Sequence, residues 1–290
     1  MESDINLLVR HVDFLSNGFT PNRHFGNIAA LNQIADWVHE EFEQYGLEVK
    51  EQEWKVGKQH YRNVIGSLNP EAEKRLIVGA HYDVYANNPG ADDNASGMAG
   101  LMEMARLISK KQLALDYGID FVAYCLEEPP FFGTPDMGSY VHAKECSLQQ
   151  EQIIGMVCLD MIGYFSEEPN SQQFPNERIA SLYPSTGDFI LVVGCKEYEQ
   201  FSTHFYEKMN QANEMKVELI NFPGADSLGG LSDHRNYWHF GMNALMINNS
   251  AFLRNPHYHE KTDTIDTLDF EKMKLVVDAT LSACLSFNSF

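Results

Sequence analysis

Five short apolar runs, most of them ending on polar residues, constrain this chain more than any other feature of it. They read RLIVGAHY, GIDFVAYCLEE, IIGMVCLDMIGY, FILVVGC and NALMINN. Runs this short and this uniformly apolar suit strands buried on both faces. Helical patterns separate most of them. ASGMAGLMEMARLISK, MGSYVHAKEC and EQFSTHFYEKMNQA read as helices, and a last one runs from about Leu268 to Phe287. Upstream, ALNQIADWVHEEFEQYG has apolar residues at helical spacing and a glycine stop, which predicts an amphipathic helix over residues 27–46. LEVKEQEWKV and YRNVIGSL read as a strand pair, and KVELINF as a further strand. The alternation predicts an α/β chain: a single domain over residues 1–290 with three layers, α/β/α, around a mixed, mostly parallel sheet. Ligands in such folds bind beyond the carboxyl ends of the strands.

Residues 163–188, GYFSEEPNSQQFPNERIASLYPSTGD, break the alternation and read as a long surface loop, either at the rim of a site or as a passive insertion. The 21 basic and 41 acidic residues give a net charge of −20. Such a chain repels nucleic acid and anionic membranes, so neither is an expected partner. The five cysteines Cys125, Cys146, Cys158, Cys195 and Cys284 include no CxxC pair and read as buried free thiols. Thiols of this kind suit a reducing compartment. The expectation is a cytoplasmic protein, or an exported one whose leader has been removed, since MESDINLLVRHVDF is no signal peptide.

The chemistry gathers at the predicted strand ends. His81 and Asp83 follow LIVGA, with Asp92 and Asp93 in the loop beyond. Glu127 and Glu128 close the next strand, Asp160 closes MVCL, and His257 and His259 lie in NPHYHEKTDT. Taken singly, each has an ordinary explanation as a helix cap, a solvated acid or a structural histidine. Together they do not, because adjacent carboxylates ending a buried strand are costly without a compensating cation. Imidazole and carboxylate donors without cysteine suit zinc. Two histidines and three carboxylates exceed what one tetrahedral ion needs and fit two ions about 3.5–4 Å apart that share a carboxylate. A remaining glutamate could then move a proton from water to a leaving amine, the chemistry of amide hydrolysis.

In their order AHYDV, GADDNASG, LEE, LDMIG, SDH and YHEKTDT, these segments resemble the di-zinc aminopeptidase family. Those are zinc exopeptidases of metallopeptidase clan MH, related to glutamate carboxypeptidase and glutaminyl cyclase. The likeness covers residues 60–287. It implies that His81 and Asp160 hold a first zinc, Asp93 bridges, and Glu128 and His259 hold a second, with cobalt or manganese as other possible metals. It implies Glu127 as general base, Asp83 as the carboxylate that orients His81, and Tyr258 as a stabiliser of the oxyanion. It further implies a cis Asp93–Asn94 peptide and a place near the substrate pocket for Asp233. Asp92 reads as a loop residue rather than a ligand, His234 has no assigned role, and His257 packs or faces solvent. His11, His24, His39, His60, His142, His204 and His239 read as structural or surface residues.

One departure is EEPPFFGTPDMGS after the glutamate pair, where many members have a glycine-containing turn. Phe131 and Phe132 there either line a specificity pocket or only pack. The expected substrate is a small peptide cleaved at its N-terminal residue. A one-zinc glutaminyl cyclase is the competing reading, disfavoured by Tyr258 and GADDNASG. A non-catalytic domain is disfavoured by the complete donor set. The chain lacks GxSxG, P-loop, GxGxxG and HExxH motifs.

Overall fold

The computed structural model describes residues 2–20, 22–111 and 113–288. Eight strands form one sheet: β1 (Glu48–Val56), β2 (Gln59–Leu68), β3 (Lys74–His81), β4 (Gly118–Tyr124), β5 (Gln152–Leu159), β6 (Ile190–Cys195), β7 (Val217–Phe222) and β8 (Ala244–Asn248). Their order across the sheet is β1-β2-β4-β3-β5-β8-β6-β7. The pairs β4–β3, β3–β5, β5–β8 and β6–β7 are parallel, and β1–β2, β2–β4 and β8–β6 are antiparallel. The helices are α1 (Ile5–Asn17), α2 (Ile28–Gln44), α3 (Gly97–Ser109), α4 (Gly138–Gln149), the single turn α5 (Glu177–Ala180), α6 (Glu199–Ala212), α7 (His234–His239) and α8 (Phe270–Cys284). The mixed, mostly parallel α/β/α arrangement is the one the sequence predicts.

Strand side chains alternate between two cores, as a period of two requires. Leu76, Val78 and Ala80 of β3 point into the larger core, with Ile119, Phe121 and Ala123 of β4 and Val157 and Leu159 of β5. Ile77, Val122, Tyr124, Met156 and Cys158 point into the smaller one. The larger core is closed by α1, α2, α3, α6 and α8, and the smaller by Ala143 and Cys146 of α4 and Tyr237 and Trp238 of α7. All five cysteines are buried and unpaired. No helix among the described residues is long and apolar enough to cross a membrane.

Helix α1 is an element the sequence reading did not anticipate. Asp4 caps it by accepting from the Asn6 N–H, and Leu8, Val12 and Leu15 bury one face. Just beyond it, the fully buried Arg23 donates to the carbonyls of Leu15, Pro89 and Gly90. That guanidinium ties the N-terminal helix to the loop leading into Asp92 and Asp93.

Candidate metal centre

Strands β4, β3, β5 and β8 are consecutive in the sheet. Neighbouring strands lie about 4.8 Å apart, so their carboxyl ends place side chains within bonding reach of a common point. His81 is the last residue of β3, Asp160 follows β5, Glu127 and Glu128 follow β4, and His259 lies in the segment after β8. Donor atoms of His81, Asp93 and Asp160 lie within 4.8 Å of one another, and so do those of Asp93, Glu128 and His259. Asp93 belongs to both groups. Its Oδ1 is 3.5 Å from His81 Nε2 and its Oδ2 is 3.2 Å from His259 Nε2. Glu128 Oε2 is 3.3 Å from the same His259 nitrogen.

These separations match the roughly 3.3 Å edge of a tetrahedron whose ligands sit 2.0–2.1 Å from a zinc ion. Both ring nitrogens of His81 and Oε1 of Glu128 are buried without a hydrogen-bond partner. Groups of this kind are expected where an ion belongs. The residues present therefore fit two divalent metals. Glu127 stands outside both groups, with Oε2 3.8 Å from His81 Nε2.

Electrostatics agree with that fit. Burial pushes Glu128 up to about 7 and Asp160 up to about 6, and drives Glu127 well above the usual carboxylate range. Burial opposes the charge of Asp93 too, but the imidazoles of His259 and His81 hold it well below that range. Burial works against protonated His259, yet Asp93 and Glu128 raise it to about 10. The ring of His259 is held between Tyr85, centroids 4.0 Å apart, and Tyr258, 3.9 Å apart. The Asp93–Asn94 peptide is cis. Leu126, Met161 and His259 have φ of 65°, 54° and 59°, unusual for residues with side chains and clustered beside the donor groups.

The crowding of polar residues in GADDNASG has a structural explanation. Asp92, Asn94 and Ser96 accept hydrogen bonds from four successive backbone N–H groups beyond β5. Asn94 Oδ1 accepts from Met161, Ser96 Oγ from Ile162, and Asp92 Oδ1 from Gly163 and Tyr164. Asp92 Oδ2 takes two further bonds, from the side-chain amides of Asn249 and Asn255. Asp92 is thus no ligand and more than a loop residue: it is the fully buried acceptor that joins three segments at the site. Asp92→Ala strands buried donors and should destabilise the protein by about 3 kcal/mol. A drop in the urea midpoint at unchanged slope would show this, and a loss below about 1 kcal/mol would contradict it.

Two carboxylates play matching parts around the donors. Asp83 Oδ1 and Oδ2 accept from the backbone N–H groups of Glu127 and Glu128 at 3.0 and 3.1 Å. Asp83 is 3.7 Å from His81 Nδ1, too far for a hydrogen bond, so in this structure its hold is on the glutamate pair. Asp263 grips Asp92 and Asp93 in the same way, at 2.9 and 3.0 Å. The sequence reading missed Asp263, although it lies four residues beyond His259 in the same motif.

Asp233 is fully buried, and burial pushes it up to about 7. His234 donates its Nε2–H to the Gly229 carbonyl at 2.6 Å. His257 Nδ1 lies 2.9 Å from Thr262 Oγ1 at the surface, away from the donor groups. The two phenylalanines of the departing loop divide. Phe132 lines the cavity beside the donors, whereas Phe131 packs on Phe25 and Tyr61.

That cavity, about 380 Å³, opens beside Asp93, Glu127, Glu128, Asp160 and His259. Part of its lining is apolar: Phe189 just before β6, Leu191 and Val193 of β6, Ile220 and Phe222 of β7, and Met246 of β8. β6 runs antiparallel to β8, which brings its first residues to the site. Gln172, Phe174, Pro175, Ile179 and Tyr183, all within 163–188, form another side.

Residues 63–284 match peptidase family M28. The chain belongs to that family. This M28 peptidase is 39% identical over 290 residues to the uncharacterised protein YfbL of Escherichia coli, covering 97% of the chain and 87% of YfbL. It is 29% identical to aminopeptidase YwaD of Bacillus subtilis, over 77% of the chain but only 44% of YwaD. A probable leucine aminopeptidase of Trichophyton verrucosum is 26% identical, over 87% of the chain and 65% of that protein. Among solved structures, LapA aminopeptidase of Legionella pneumophila superposes with a TM-score of 0.78 at 20% identity, covering 99% of the M28 chain and 72% of LapA. A glutaminyl cyclase of Bacteroides thetaiotaomicron superposes at 0.73 and 19% identity, with 99% of both chains covered. At such identities the structural likeness speaks for the fold.

Proposed function

We propose that this M28 peptidase is an aminopeptidase that removes N-terminal residues from small peptides, with two zinc ions in the paired donor groups and Glu127 as general base. The observation that carries the reading is Asp93, common to both donor groups, with Glu127 beside them and uncommitted. His81 and Asp160 would hold one ion, Glu128 and His259 the other, and Asp93 both. The aminopeptidases among the sequence relatives support the direction of cleavage.

Such a metal pair supplies Lewis acidity and a water made acidic near neutral pH. The protein does the rest. Glu127 takes the proton of the attacking water on its side-chain carboxylate and gives it to the departing amine. Asp83 fixes the backbone of Glu127 and Glu128, so base and ligand keep their spacing. Tyr258 lines the cavity next to His259, and in this reading its hydroxyl would donate a hydrogen bond to the developing oxyanion.

Chelation followed by zinc addition tests this reading. Release of N-terminal residues from aminoacyl amides should fall to background on chelation and return with zinc. Activity untouched by exhaustive chelation would refute it. Cyclisation of glutaminyl peptides without release of any residue would replace it with the cyclase reading.

A further inference from the structure

We propose that the mouth of this cavity is a binding surface for an apolar residue on the far side of the scissile bond, so that the enzyme selects peptides by their second residue as well as their first. The inference rests on the aminopeptidase reading. Among the described residues, six large apolar side chains are exposed: Phe14, Leu148, Leu182, Leu228, Leu231 and Phe252. Leu228, Leu231 and Phe252, 38%, 42% and 49% exposed, line the cavity. The three come from two separate segments, the β7–α7 connection and the turn Ala251–Leu253 after β8. Single exposed leucines are ordinary on a protein surface. Three drawn from two segments onto the lining of one cavity mark a binding surface.

The chemistry of removing a first residue says which part of the substrate this collar meets. No chain precedes that residue, so its side chain can fill the closed end, walled by the buried Phe189, Val193 and Met246. The remaining peptide has to leave through the mouth. The exposed collar therefore faces the residue whose amine is released. Phe252 lies 5.8 Å from the Tyr258 ring, and Tyr258 stacks on His259. The collar is thus one ring away from the metal ligands, and successive Cα atoms of a peptide are about 3.8 Å apart. The surface is also held in place. Gln172 is buried and exchanges hydrogen bonds with Ser250, and its Oε1 accepts from Arg254 Nε. Arg254 Nη1 in turn donates to the Phe189 carbonyl. A loop fixed this way loses little further freedom on binding.

Steady-state kinetics of the zinc-loaded chain on Leu-Gly, Leu-Lys, Leu-Leu and Leu-Phe amides test the assignment. The apolar second residues should raise kcat/KM by about tenfold, mainly through KM, the low end of hydrophobic discrimination for a partly open site. In Phe252→Ser and in the double variant Leu228→Ser, Leu231→Ser, that ratio should fall toward one. Leu148→Ser, at an exposed position outside the cavity, should keep it. A ratio near one in the parent, or one that survives the collar substitutions, overturns the assignment alone. Failure to release leucine from any of the four overturns the aminopeptidase reading and the assignment with it. A dimer in solution that separates on Leu231→Ser would give the collar to a second copy of the chain and overturn it too.

Discussion

Glu127→Gln should lower kcat by a factor of about 10²–10⁴ and leave the metal content unchanged. Its side chain is 8% exposed, belongs to neither donor group and lines the cavity. Glutamine keeps its shape and cannot accept the proton of the attacking water. Its position is set through the backbone, because the Asp83 bond is to the Glu127 N–H and survives the substitution. Substrate affinity should change far less than turnover, the pattern of an interaction made only in the transition state. Near-parental turnover would remove Glu127 from the role of base. Full metal loss would instead make it a ligand.

Asp93→Ala should empty both metal sites and reduce activity to background. Asp93 offers one oxygen toward His81 and the other toward His259, so a single truncation takes a donor from each group. His259→Ala takes a donor only from the group containing Glu128, and about one metal per chain should remain. The contrast separates a shared carboxylate from an ordinary ligand. The fold should persist in Asp93→Ala, because the carboxylates that hold this turn together are those of Asp92 and Asp263. Unchanged metal content in Asp93→Ala, with the chain folded by circular dichroism, would place the bridge elsewhere.

Much of this architecture is legible in the sequence because burial on both faces leaves a plain mark. Strands β3, β4 and β5 read as mostly apolar runs, β4 interrupted by Asp120, and their polar ends locate the site directly. Helix α1 was legible as well: in INLLVRHVDFLSN the apolar residues Ile5, Leu8, Val12 and Leu15 recur at helical spacing behind the Asp4 cap, a signal the sequence reading passed over. Asp92 and Asp263 were harder. A carboxylate that accepts backbone N–H bonds and one that binds a metal are the same residue type, and only the distance to other donors tells them apart. In DD the second residue faces His81 and His259 while the first turns toward Gly163 and Tyr164. Asp83 illustrates the same limit, since its partners Glu127 and Glu128 are 44 and 45 residues away along the chain. Phe131 and Phe132 could not be separated by sequence either, because the fate of each depends on which way the loop turns after the glutamate pair.

In the proposed centre one aspartate, Asp93, joins two metal sites. Elemental analysis of the chain after dialysis against dilute zinc tests it most directly. The proposed function predicts about two zinc atoms per chain, the stoichiometry of a co-catalytic pair. One atom or none per folded chain would contradict the shared-carboxylate centre and the mechanism built on it.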